Sequence, residues 1–274
     1  MQGIRISNAE YRQREGISSS ELKKIMKSPL HYKHWKENPQ EDTPALLFGR
    51  AAHKYVLETY DFFTEFAVAP NCDRRTKEGK ETWAKFLEES EGKDVITEEQ
   101  FKQIEDMRIA MLATPFVSKL INGEHEVSYF WTDEDTGLKC KCRPDSINHK
   151  LKIICDYKTA DNAETQAFMR KSIDLGYDLQ AYMYQQGIKE NIGEDYLFVF
   201  IAQEKKPPYA VNILQADDNF MTSGRQIFRE MLNVYKECSE SGTWYGYLGS
   251  DNQINSLGVP KWVEQLLEAE SEEE

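Results

Sequence analysis

The stretch "CRPDSINHKLKIICDYKT", residues 142–159, decides how this chain is read. In its second half, "IICDYK", the apolar residues demand burial, yet they enclose Asp156 and Lys158. A buried charge is costly unless it has a partner, a metal or a task. Side chains two apart on a strand share a face, so Ile154, Asp156 and Lys158 project one way and Ile153, Cys155 and Tyr157 the other. Asp145 ends the preceding strand-like run, just before a short turn. If the two runs pair as a hairpin, Asp145 comes near Asp156, and two carboxylates and an ammonium converge at one end of a sheet. Two hard oxygen donors with open positions suit Mg²⁺ or Mn²⁺. The neighbouring ammonium can hold water or hydroxide and offset charge at a phosphorus centre. The same residues admit a plainer role, with Asp145 a turn residue after Pro144 and Asp156 and Lys158 exposed at a strand edge.

On either side of this stretch the pattern is mixed. "HEVSYFW", "GLKCKCRP" and "LKIICDYK" are three strand-like runs, joined by the polar "TDEDT" and "DSINHK", which favours antiparallel neighbours. Helical periodicity follows over 162–191, then a buried strand "YLFVFIAQ", a strand near "YAVNIL" and a long helix over 217–239. Upstream, Ser18 and Glu21 form a capping box and Pro29 closes that helix. Pro44 opens a second helix in "PALLFGRAAHKYVLE". "FFTEFAVAP" reads as a short strand, and Thr97 with Gln100 caps a helix running to about residue 113. The polar, basic "PNCDRRTKEGKET", residues 70–82, reads as a mobile loop. The fold class is therefore α/β, with a mixed central sheet flanked by helices and extra helices at the N-terminus.

At 274 residues with 40% hydrophobic content, the chain can bury a full core as one large domain. No run of about 18 apolar residues spans a membrane, and "MQGIRISNAEYRQREG" lacks the apolar region of a secretory signal, so a cytoplasmic location is expected. Five scattered cysteines (72, 140, 142, 155 and 238) form no disulfide framework and lack zinc spacing; buried reduced thiols are expected. The net charge of −13 argues against indiscriminate coating of nucleic acid, but not against a nucleic-acid enzyme whose field is reversed locally by basic residues and divalent cations. The acidic tail "EAESEEE" reads as a solvated end.

"RPD", a ten-residue gap and "DYK" together resemble the motif of the PD-(D/E)XK nucleases, and "DYKT" resembles their RecB-like exonuclease branch. "GRAAH" places Gly49 and His53 four apart, like that branch's upstream G-x-x-x-H element. "QAYMY" places Gln180 and Tyr184 four apart, like its Q-x-x-x-Y element. The N-terminal "ISSSELKKIMKSPLHYK" is similar to the RecE-type (exodeoxyribonuclease VIII) phage and prophage recombination exonucleases. The resemblance implies a restriction-endonuclease-like core. The reading is a single nuclease domain over 1-274, with N-terminal helices carrying His53 in 1-60, a catalytic sheet core in 120-215, and a C-terminal helix and acidic tail in 216-274. It implies Asp145, Asp156 and the backbone carbonyl of Tyr157 as ligands of Mg²⁺, with Mn²⁺ as a substitute. Lys158 would be the catalytic lysine. His53 would ligate metal or orient the nucleophile, with a core histidine as the alternative. Glu126 would add a carboxylate, with Glu124 as the alternative. Gln180 and Tyr184 would contact DNA or brace the site.

The activity so implied is a Mg²⁺-dependent exodeoxyribonuclease on linear double-stranded DNA ends, cutting 5′ to 3′ and leaving 3′ single-stranded overhangs for recombination. A homo-oligomer, with a tetrameric ring in view, and a single-strand-annealing recombination protein as partner follow from the resemblance alone. Independently of it, Arg74, Arg75, Lys77 and Lys80 in the basic loop, and Lys205 with Lys206 further on, are candidate phosphate contacts. A merely solvated loop is the alternative. Two rivals stand beside this reading. One is a Cas4-like or helicase-associated nuclease, whose iron–sulfur clasp needs more cysteines near the C-terminus than Cys238. The other is a catalytically silent DNA-binding or assembly module.

Overall fold

The computed structural model describes residues 3–38, 42–261 and 263–265; the acidic tail at 268–274 lies outside them. The chain opens with four helices: α1 (Asn8–Gln13), α2 (Ser19–Lys27), α3 (Pro29–Glu37) and α4 (Pro44–Leu57). The capping box of Ser18 and Glu21 starts α2 as expected. Pro29 does more than close that helix. Ser28 ends α2 and caps α3, and Pro29 takes the first position of α3, where its missing N–H costs nothing.

The connecting layer holds α5 (Phe62–Glu65), β1 (Phe66–Ala69), α6 (Lys77–Glu89), β2 (Asp94–Thr97), α7 (Glu98–Ala113) and α8 (Val117–Leu120). Two expectations change here. "FFTEFAVAP" is half helix and half strand. Much of the basic segment 70–82 is helical, because the Thr76 side chain accepts from Gly79 N and caps α6.

The sheet region contains β3 (Glu124–His125), β4 (Tyr129–Thr132), β5 (Lys139–Cys142), β6 (Ser146–Asn148) and β7 (Ile153–Ala160). It is followed by α9 (Thr165–Asp174), α10 (Tyr177–Ile192), β8 (Leu197–Glu204), β9 (Val211–Gln215) and α11 (Asp218–Ser241). The central sheet has the order β3-β6-β7-β8-β9, with β7 and β8 parallel and the other pairs antiparallel. The expected run of three neighbouring strands is thus corrected. "HEVSYFW" breaks into β3 and β4, β4 pairs with β5 as a separate ribbon, and the antiparallel partner of β7 is β6, formed from the polar "DSINHK". The break falls at Glu126, whose φ of 54° lies in the left-handed region that a strand cannot continue through.

The faces of β7 separate as the alternation requires. Ile154 packs with Leu179 and Met183 of α10 and Phe228 of α11. Cys155 and Tyr157 pack with Ala51 and Ala52 of α4 and with Ile104, Met107 and Met111 of α7. The sheet is therefore covered on both faces, which explains why β7 and β8 read as near-continuous apolar runs. The cysteines are free thiols, four of them buried and Cys72 partly exposed. Among the described residues, no helix is long and apolar enough to cross a membrane.

Candidate active site

Ser146 pairs with Cys155 across β6 and β7. Extending that register by one residue sets Asp145 opposite Asp156, on the same face. The contact is direct: the backbone N–H of Tyr157 donates to Asp145 Oδ2 at 2.7 Å. The same oxygen lies 2.6 Å from His53 Nε2, which α4 delivers from across the sheet. His53 Nδ1 is 3.8 Å from Glu126 Oε1, and Arg143 Nε is 2.8 Å from Glu126 Oε2. His53, Glu126 and Asp145 thus present one nitrogen and two carboxylate oxygens within 4.8 Å of one another. Glu126 fills the place rather than Glu124, which is exposed and points to His149 Nε2 at 3.5 Å.

Asp156 lies beside this trio and has its own partners. It is 0% exposed. Its Oδ1 accepts from Gln180 Nε2 at 2.8 Å, and Lys158 Nζ lies 2.5 Å from Oδ2. That ion pair with Lys158 is the close contact of Oδ2, and among the described residues no further donor meets it. Tyr157 contributes its N–H, and its ring packs 5.6 Å from that of His53. Tyr184 is half-buried and lines the same cleft as Gln180, a depression of about 970 Å³ that also takes in His53, Glu126, Asp145 and Lys158.

The electrostatics follow from this crowding. Burial opposes a charge on His53, but the charge and hydrogen bond of Asp145, with Glu126, raise its pKa to about 9. Burial likewise opposes ionisation of Asp145, yet the His53 charge and hydrogen bond hold its pKa below the ordinary value. Burial, then the negative charge of Asp145, push Asp156 up to about 6. Burial pushes Glu126 up to about 7 against His53. Lys158 is raised above its ordinary range because Asp156 and Asp145 outweigh desolvation, so it acts as a fixed cation and not as a base. In the metal-free protein the protonated His53 is the cation between Asp145 and Glu126, and a bound divalent ion would take the place of that proton. The carboxylate oxygens of Glu126 and Asp145 and the imidazole nitrogen of His53 fit a divalent metal.

Arg74, Arg75 and Lys77 are not brought to this cleft. Arg74 lies over the ring of Trp83 at 4.0 Å, Arg75 binds Asp73, and Lys77 faces Glu81. Two partners were missed in the sequence. Arg143, two residues before Asp145, holds both Glu126 and the Ile6 carbonyl; its place in "RPD" was the available signal. Lys23, whose Nζ donates to Gln180 Oε1 at 3.0 Å, lies 157 residues from its partner and gave no local sign. A Cβ at Gly49 would meet only Thr159 Oγ1, at 3.9 Å, so no close neighbour forces this glycine and the cleft wall is left open beside it.

No curated protein matches the chain. Among solved structures, one described as a "putative exonuclease" from Eubacterium rectale superposes with a TM-score of 0.64 at 17% identity, covering 96% of this chain and 98% of that one. A "phage related exonuclease" from Haemophilus somnus 129PT matches at 14% identity over 85% of this chain and 100% of that one, with a TM-score of 0.36. The first likeness is one of fold, and the second superposition is too poor to carry an argument. The family model of the PDDEXK-like domain of unknown function DUF3799 matches residues 18–255. With the restriction-endonuclease-like sheet and the Asp145, Asp156 and Lys158 constellation in place, this chain belongs to that family of the PD-(D/E)XK superfamily.

Proposed function

We propose that the protein is a divalent-metal-dependent deoxyribonuclease acting on the ends of linear duplex DNA. The observation that carries this reading is the junction of the His53, Glu126 and Asp145 trio with the Asp156–Lys158 pair at the mouth of β7. His53, Glu126 and Asp145 would hold the metal, beside the Asp156–Lys158 pair. A bound Mg²⁺ would supply Lewis acidity and lower the pKa of a coordinated water. The chain's own part is positional and electrostatic. Arg143 fixes Glu126 and Gln180 fixes Asp156, while the Lys158 ammonium offsets charge at the phosphorus as it develops.

The finer assignment rests on the RecE-like motifs: exonucleolytic cutting from the 5′ end, 3′ overhangs for recombination, Mg²⁺ as the working ion, assembly into a ring and partnership with a single-strand-annealing protein. The test is digestion of linear and circular duplex with Mg²⁺, with and without EDTA, beside Asp145→Asn and Asp156→Ala. We expect degradation of linear duplex that EDTA abolishes, and a loss of about 100-fold or more in either variant. Equal behaviour of wild type and both variants would leave a DNA-binding module and no nuclease. Sequencing the single-stranded product ends decides polarity.

A further inference from the structure

We infer that Lys23 is a positioning residue of this site, which fixes the Gln180 amide and through it the Asp156 carboxylate. The inference builds on the nuclease reading and adds a residue from α2 that the motifs do not include. The contacts form one chain: Lys23 Nζ to Gln180 Oε1 at 3.0 Å, Gln180 Nε2 to Asp156 Oδ1 at 2.8 Å, and Asp156 Oδ2 to Lys158 Nζ at 2.5 Å.

A primary amide has two nearly isosteric ends and can sit either way round. Against Asp156, only the NH₂ end is favourable, because the oxygen would face a carboxylate. Burial, then the Lys158 charge, lowers the Lys23 pKa to about 7; in its ammonium form it has donors and no acceptor, so protonated Lys23 takes only the oxygen end of the amide as its neighbour. The two ends of Gln180 are therefore read by two groups that each allow one orientation. Lys23 is suited to this task because, among the described residues, no carboxylate lies within ion-pairing distance of its Nζ. Its ammonium also lies 5.0 Å from the centroid of the Tyr177 ring, and Lys158 Nζ is 4.9 Å from the same centroid. The aromatic face gives both cations a favourable neighbour. Gln180 is itself buried, so water is a poor substitute for the lost donor.

Without Lys23, the amide is free to rotate and Asp156 loses a fixed donor on Oδ1. The Asp156 carboxylate then has Lys158 as its remaining strong partner and turns toward it. The consequence for a nuclease is a slower chemical step with little change in DNA affinity, since Lys23 holds protein rather than substrate.

The test uses the full chain. In ¹⁵N-labelled protein, the Gln180 side-chain NH₂ signal, assigned by its loss in Gln180→Leu, should be protected from solvent exchange. Lys23→Met should cut that protection about tenfold, and Lys23→Arg should retain most of it, as a local opening and not a global one. On linear duplex with Mg²⁺, Lys23→Met should lower kcat about tenfold and leave KM within about twofold, with Lys23→Arg largely restored. Lys23→Met combined with Gln180→Leu should be no slower than Gln180→Leu alone, because the two act as one unit. Unchanged exchange in Lys23→Met overturns the inference. So does a rise in KM at constant kcat, which would make Lys23 a DNA contact. The exchange measurement needs no catalysis, so an inactive wild type would fail the nuclease reading and leave the Lys23 result standing.

Discussion

His53 is the group through which pH should act. In metal-free protein its pKa is raised from 6.5 to about 9, so the folded state binds a proton that the unfolded state releases between those values. Its contribution to stability is full below pH 6.5 and is lost as pH rises to about 9. Glu126, raised from 4.5 to about 7, acts in the same direction over a lower range. Thermal melts in EDTA should therefore fall by several degrees from pH 6.5 to 9, and His53→Gln should flatten that decline. A ligating imidazole must be neutral, so the apparent affinity for Mg²⁺ or Mn²⁺ by calorimetry should rise across the same window. A melt independent of pH over this range would mean that the Asp145–His53 pair carries no charge. Lys158 offers a sharper contrast. Lys158→Met leaves Asp156 buried without its cation, and breaking a buried pair costs about 3–5 kcal/mol unless the carboxyl takes up a proton. Because Asp156 already titrates at about 6, chemical denaturation should show the larger loss above pH 7 and a smaller one at pH 5. Asp145, Asp156 and Lys158 were legible in the sequence, since alternation on a strand is a local rule. Arg143 and Lys23 were not, because their roles depend on contacts with Glu126, Ile6 and Gln180 that no local period encodes.

The packing of α10 on α11 sets where Gln180 sits, and Gly224 makes that packing possible. A Cβ at Gly224 would lie 2.0 Å from the Asp178 carbonyl oxygen, so the two helices must separate to admit one. Close by, Ser223 Oγ donates to Asp178 Oδ2 at 2.6 Å. Gly224→Ala should cost about 1–3 kcal/mol by urea denaturation and should also slow any cleavage, because Gln180 moves with α10. Gly49→Ala is expected to do the reverse to stability. It replaces a mid-helix glycine of α4 with open space beyond, which favours the helix by up to about 1 kcal/mol. If DNA uses that space, activity falls while the melting temperature holds or rises. A stable Gly49→Ala with full activity would remove Gly49 from the substrate path. How far such elements were readable depended on the strength of their local signals. The capping boxes at Ser18 and Thr97 place their helices correctly, because both halves of each box are visible in sequence. β6 was hidden because it has three residues, two of them polar, whose side chains are buried by donating to the distant carbonyls of Ile121 and Lys119. The gap between β3 and β4 was hidden because the backbone turn at Glu126 serves the site and not the strand.

The charge of the chain frames how it could engage DNA. At −13 overall, its long-range field repels a phosphate backbone. Much of the positive charge at the cleft is already paired: Arg50 with Asp42 and Asp94, Lys54 with Glu58 and Glu65, Arg143 with Glu126, and Lys158 with Asp156. Arg5 lines the cleft, and among the described residues no carboxylate lies within ion-pairing distance of it. Lys205 at the end of β8 is held by Asp161. Duplex held at the cleft must therefore draw on the divalent ion and on basic residues outside it. Arg74 and Arg75 are suited to this: the Trp83 ring supports one, and the other is 92% exposed with a single carboxylate partner. An exposed ion pair of that kind is weak enough for a phosphate to displace it. Arg74→Glu with Arg75→Glu should raise the Kd for a duplex of two or more turns and lower the slope of log Kd against log salt by about 2. A duplex short enough to fill the cleft alone should bind both proteins equally. Equal loss on short and long duplex would trace the effect to net charge, and no loss on either would make 70–82 a solvated segment with no part in binding.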